Sequence, residues 1–185
     1  MLRNCVGKLM FPGVRLRKQW TALAAFVLLI PTLLFSGIPT VGFAACQPET
    51  AAWRHMQLGV VEVLNSKRQH IRLTARIADD RAERAAGFQY ICPQLFHDNA
   101  ILFVFSSSLQ AQFHMRNVYA PLDIAFFDKS GKIVKIMSMR PAAWEKNGQS
   151  RFYGPAARFR YALEARVGYF AENGIEVGNS MLLIN

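Results

Sequence analysis

Residues 112–139 read Q-F-H-M-R-N-V-Y-A-P-L-D-I-A-F-F-D-K-S-G-K-I-V-K-I-M-S-M, and the second half of this stretch decides the fold. The run 122–127 is apolar apart from Asp123, and 132–139 alternates between polar and apolar residues; both patterns signal strands. Between them, D-K-S-G at 128–131 suits a type I turn with its glycine in the left-handed region, a common hairpin link. A hairpin over 122–139 is therefore expected. The first half is different in kind. It gathers His114, Arg116, Asn117 and Asp123 into ten residues, with Pro121 stiffening the bend. A stretch built only for packing rarely spends four hydrogen-bonding side chains so close together, so this polar bend is the first place to look for a site.

Working outward, residues 58–64 and 71–77 alternate as half-buried strands joined at Asn65-Ser66-Lys67. A short helix is expected after Asp80, which can cap it, with Glu83 as the reciprocal partner and Gly87 as the stop. Residues 88–99 read as a loop, in which His97-Asp98 is a polar turn. The continuous apolar run A-I-L-F-V-F at 100–105 reads as a central strand buried on both faces, broken by Ser106-Ser107-Ser108. Residues 140–158 are irregular and carry Trp144, Phe152 and Tyr153; a loop of that length in a compact domain often has a function. A strand at 161–165, a short helix at 167–173 and a closing strand at 181–184 complete the chain. The expected fold is α+β and mostly β: a compact curled sheet or partial barrel with two short helices, one domain spanning 58–185.

The chain has 185 residues and a formal net charge of +10, enough length for one domain with a proper core. Its first 45 residues carry Arg3, Lys8, Arg15, Arg17 and Lys18, no acid, a long apolar run from Ala22, and small residues at Gly42, Ala44 and Ala45. A basic segment, an apolar core and a small-residue exit make a secretory signal peptide or an N-terminal membrane anchor. Cleavage after Ala44 suits a signal peptidase, whereas cleavage after Ala45 would leave Cys46 first, for lipidation. Each outcome implies an exported domain, periplasmic or membrane-anchored, that meets the membrane only through this segment. Without its five bases the charge falls from +10 to +5, and the remaining bases are scattered among acids, which argues against nucleic acid as a partner. Residues 46–57 read as a tether, with Trp53 able to cover a core edge. Cys46 and Cys92 can pair in an oxidising compartment, an outcome that lipidation of Cys46 would exclude.

Several motifs fall together in one order: E-R-A-A-G at 83–87, A-I-L-F-V-F at 100–105, F-H-M-R-N-V-Y-A-P-L-D-I-A-F-F-D at 113–128, G-K-I-V-K-I at 131–136, and R-Y-A-L-E-A followed by N-G-I-E-V-G-N between 160 and 179. In these the chain resembles the domain-of-unknown-function 192 family. The resemblance implies a small, mostly β domain, often exported, and brings no settled activity with it. The chain departs from the family pattern F-W-M-K-N-T, which here is Phe113-His114-Met115-Arg116-Asn117-Val118, and Phe88-Gln89 stand where Leu-Met is usual.

Three kinds of chemistry fit the polar bend. Arg116 and Asn117 can donate to a small anionic or hydroxyl-rich ligand, with Asp123 orienting them; the plainer alternative is an internal Arg116–Asp123 pair that only holds the bend. His114 can serve as the general base of a hydrolase, oriented by Asp123 or Asp98, although Ser106–Ser108 lack a nucleophile-elbow pattern. The loop 140–158 can instead meet a protein or another envelope component. The histidines show no metal-ligand spacing, and no cofactor is expected. The balance favours a binding or structural module over an enzyme.

Overall fold

The computed structural model describes residues 45–184, and within them the chain is tied down almost at once. Cys46 is disulfide-bonded to Cys92, and Gln47 pairs with Ile91 in a parallel bridge. Thr50 then caps helix α1 (Ala51–His55) by accepting the Trp53 N–H at 3.2 Å. Trp53 and Met56 are buried, the indole packing 5.3 Å from Phe88 with the Arg76 guanidinium 4.5 Å over its face. The tether expected over 46–57 is thus corrected. Burying two large apolar side chains is worth about 1.5–3 kcal/mol each, enough to hold a short helix against the body.

The alternating runs then form strands β1 (Gln57–Leu64) and β2 (His70–Ala78), paired antiparallel. Their turn is ordered by Asn65, whose carboxamide oxygen accepts the Lys67 and Gln69 N–H groups at 2.9 Å each. Helix α2 (Arg81–Ala86) carries the expected capping box between Asp80 and Glu83 and stops at Gly87, φ +48°. After a 3-10 turn at Pro93–Phe96 comes β3 (Ile101–Leu109), which runs through the serines expected to end it. Its register on the neighbouring strand shifts between Val104 and Leu109, so Ser106 and Ser107 continue extended with their side chains in water.

Strand β4 (Phe113–His114) leads through the bend into the expected hairpin, β5 (Leu122–Phe127) and β6 (Ile133–Met139). Its turn has the anticipated chemistry: the Asp128 carboxylate accepts the Ser130 and Lys132 N–H groups, and Gly131 sits at φ +81°. The loop 140–158 holds two 3-10 turns and β7 (Phe152–Tyr153), which pairs with β4. Strand β8 (Phe159–Arg166), helix α3 (Tyr169–Glu172) and β9 (Ser180–Ile184) finish the chain.

Seven strands form one sheet in the order β6-β5-β8-β3-β2-β1-β9. The two edge strands approach at one end, through the Lys132–Ser180 bridge and an Ile133 N–H to Asn179 C=O bond of 2.8 Å, but form no continuous ladder. The architecture is therefore mostly β, a curled sheet that is not closed into a barrel. Three short α-helices are present where two were expected, α1 being the addition. Because successive strand residues face opposite ways, Phe126 and Phe127 enter separate apolar clusters. Phe126 joins Phe88, Phe103 and Phe159; Phe127 joins Leu102, Leu163 and Phe170. Among the described residues no helix is long and apolar enough to cross a membrane. The basic and apolar leader lies outside the described residues.

Candidate functional site

The polar bend is pinned by its aromatic neighbour. Phe113 packs edge-on against Phe103 and Phe126, at 5.0 and 5.6 Å, which fixes where His114 and the turn after it begin. Met115 is buried and its carbonyl accepts the Val118 N–H, so Arg116 and Asn117 occupy the turn. Asn117 adopts φ +57°, a conformation its short amide side chain tolerates better than most. That amide donates to Gln89 at 3.1 Å and to the Tyr90 hydroxyl at 2.7 Å, and the Asn117 backbone carbonyl accepts the Tyr90 N–H at 2.8 Å. Asn117 therefore ties the bend to the loop after α2. Arg116 is exposed, and among the described residues its guanidinium has no hydrogen-bond or ion-pair partner. It borders a shallow cleft with Tyr90, Ala142 and Gly148.

Asp123 is elsewhere. It is buried on β5, where one carboxylate oxygen accepts the Ser138 hydroxyl at 2.6 Å and the other the Gly168 N–H at 2.8 Å. The expected grouping of Arg116, Asn117 and Asp123 is corrected on this point: Asp123 neither pairs with Arg116 nor orients it. Its task is to hold the turn before α3, where Gly168 takes φ +85°. The His114 dyad fails for the same kind of reason. Asp123 is committed to those two bonds, and Asp98 pairs with His97 in solvent at 2.8 Å. The Nδ1 of His114 accepts the Arg116 N–H at 3.3 Å.

His114 nevertheless lines a site that the sequence pattern alone did not single out. A cavity of about 340 Å³ lies between α2, β3, β4 and β8, with Glu164 inside it. Glu164 is 5% exposed and lies between Ile101 of β3 and Ile124 of β5. Phe103, Phe105 and Phe113 form walls, and Arg81 and Arg84 of α2 join His114 in the lining. The closeness of α2 depends on Gly87: a Cβ there would stand 3.4 Å from the Phe103 ring and 3.9 Å from a Glu164 oxygen.

The electrostatics set Glu164 apart from the other buried glutamates. Glu83 is satisfied by its capping box, and Glu62 is covered by Arg72 and His70. Those two partners, Arg72 first, hold the Glu62 carboxyl below the usual carboxylate range. Among the described residues Glu164 has no hydrogen-bond or ion-pair partner, and burial pushes its carboxyl up to about 8. At neutral pH it is mainly the protonated acid, able both to donate and to accept a hydrogen bond. Arg84 is fixed, donating to the Val104 carbonyl at 3.0 Å and to the Asp79 carbonyl while lying 5.2 Å over Phe105. Arg81 is exposed and, among the described residues, unpaired. One signal in the sequence pointed here: in R-Y-A-L-E-A an acid interrupts an apolar strand on the face that also carries Ala162. No group of three or more metal-ligating side chains occurs among the described residues.

Residues 62–183 match the family DUF192, described as uncharacterized ACR, and the chain belongs to that family. Two solved structures share its fold. A crystal structure from Sinorhizobium meliloti 1021, described as a candidate transcription regulator, is 23% identical, with a TM-score of 0.61 over 69% of this chain and 95% of that one. A protein of unknown function from Novosphingobium aromaticivorans DSM 12444 is 22% identical, with a TM-score of 0.61 over 75% of this chain and 94% of that one. No curated protein matches the chain.

Proposed function

We propose that this DUF192 member is an exported small-ligand-binding module rather than an enzyme, and that its ligand sits in the cavity over Glu164. The observation that carries this reading is the buried Glu164 carboxyl, which faces open space without a partner among the described residues. A carboxyl that opens onto the cavity with no protein partner among the described residues is free to bond a ligand bearing a hydroxyl or amino group. Aromatic walls and a few converging polar groups are the ordinary make-up of such a site. The export part of the proposal is supported by the basic and apolar leader and by the Cys46–Cys92 disulfide, a bond that persists in oxidising compartments. With its sulfur in that bond, Cys46 is not free to carry a lipid.

The test is amide NMR of the purified full chain against separate panels of monosaccharides and amino acids. Binding in the cavity shifts the resonances of Gly87, Phe113 and Glu164 together, and Glu164→Leu, which can neither donate nor accept, removes the response. Shifts confined to the Arg116 cleft would overturn the assignment. A second reading, a contact surface on the loop 140–158, draws on Trp144 and Phe152, which are 55% and 62% exposed. Under that reading Trp144→Ala abolishes function while the cavity stays irrelevant.

A further inference from the structure

We propose that the cavity accepts a small zwitterion, its ammonium group against Glu164 and its anionic group at Arg81. This deepens the ligand-binding reading above and rests on it. Glu164 is 5% exposed, with isoleucines on both neighbouring strands, and no side chain or backbone group among the described residues bonds to its carboxyl. Such a group gains most from a partner that brings full charge, because charge-assisted hydrogen bonds are roughly twice as strong as neutral ones. The walls suit a cation too. Phe103 and Phe113 meet edge to face at 5.0 Å, and aromatic faces attract ammonium groups.

A simple cation meets an obstacle. Arg81 and Arg84 line the same cavity, and Arg84 is held by two carbonyls and the Phe105 ring, so it does not swing away. A ligand with an anionic end turns that repulsion into attraction, and exposed Arg81 has no competing partner among the described residues. A neutral sugar leaves both the acid and Arg81 without a charged partner. The charged and titratable groups that line the cavity with Glu164 are Arg81 and Arg84 from α2 and His114 from β4; the cavity residues from β3 are Phe103 and Phe105, and β5 contributes apolar Ile124 beside Glu164. When the ammonium group docks, Glu164 loses its proton to solvent and the resulting carboxylate pairs with the ligand, so binding releases a proton.

The experiment is calorimetry of the full chain near neutral pH in two buffers of different ionisation enthalpy. The probes are β-alanine and taurine as zwitterions, propylamine and propionate as single charges, and galactose as a neutral polyol. The expected result is that a zwitterion binds at least about ten-fold tighter than either single charge and releases up to about one proton. Glu164→Gln removes the proton release, and Arg81→Ala weakens the zwitterion but not propylamine. If galactose binds and the zwitterions do not, the zwitterion proposal falls while the cavity remains a ligand site. If no probe of either class binds at millimolar concentration, both readings fall.

Discussion

Replacing Glu164 by Gln should make the protein more stable at alkaline pH than the parent, and the size of the gain follows from burial. The folded carboxyl titrates at about 8, against 4.5 for an unperturbed glutamate. A carboxyl raised on folding keeps its proton in the native state while the unfolded chain gives its proton up. Stability is therefore full below the unfolded value and is lost as pH rises towards the folded one. Each pH unit in that window costs about 1.4 kcal/mol, so the loss approaches roughly 4–5 kcal/mol across it. Any water admitted to the cavity reduces this, which makes the figure a ceiling. Gln has the same shape and does not ionise. The assay is urea unfolding of both proteins, disulfide intact, from about pH 5 to about pH 8.5, followed by fluorescence. Glu62, Asp128 and Glu172 are all held below the usual carboxylate range, and they titrate alike in parent and variant, so they cancel from the difference. The expected difference grows steadily with pH in favour of Gln. Parallel curves would refute the reasoning, because they would mean that Glu164 is solvated in the folded protein.

Other residues of the site separate by role. Asp123→Ala removes the acceptor of the Ser138 hydroxyl and of the half-buried Gly168 N–H and should cost about 1–3 kcal/mol in urea unfolding, whereas exposed Arg116→Ala should stay within about 0.5 kcal/mol. Reducing the Cys46–Cys92 bond, which spans 46 residues, should cost about 4 kcal/mol in lost loop-closure entropy, read as a lowered Tm together with a change in Trp53 fluorescence. Glu62 contributes stability above its unfolded range, and that contribution disappears as pH falls through its lowered folded value. Glu62→Gln should thus flatten the acid limb of the stability curve and lower stability near neutral pH, where the parent's carboxylate is ionised and paired with Arg72 and His70.

Legibility in the sequence followed the range of the interactions. The hairpin of β5 and β6 was readable because its strands, turn and register lie within eighteen contiguous residues, and the turn chemistry of Asp128 and Gly131 is local. The capping box of α2 was readable for the same reason. Helix α1 was not: at five residues it is too short to impress a period on the sequence, and its hold on the body comes from Phe88 and Cys92. Proximity misled at Asp123. It stands seven positions from Arg116, yet its partners are Ser138 and Gly168, the latter 45 residues away. Glu164 shows the same limit more sharply. An acid within an apolar strand is visible as an anomaly, but its lack of partners depends on sheet order, which puts Ile101 and Ile124 beside it and α2 across from it.

The most direct measurement is the side-chain carboxyl carbon shift of Glu164, titrated by NMR in the free protein and again with saturating β-alanine. The account predicts a midpoint near 8 in the free protein and a carboxylate shift at neutral pH once the probe is bound. A midpoint in the ordinary carboxylate range, with no response to the probe, would contradict it.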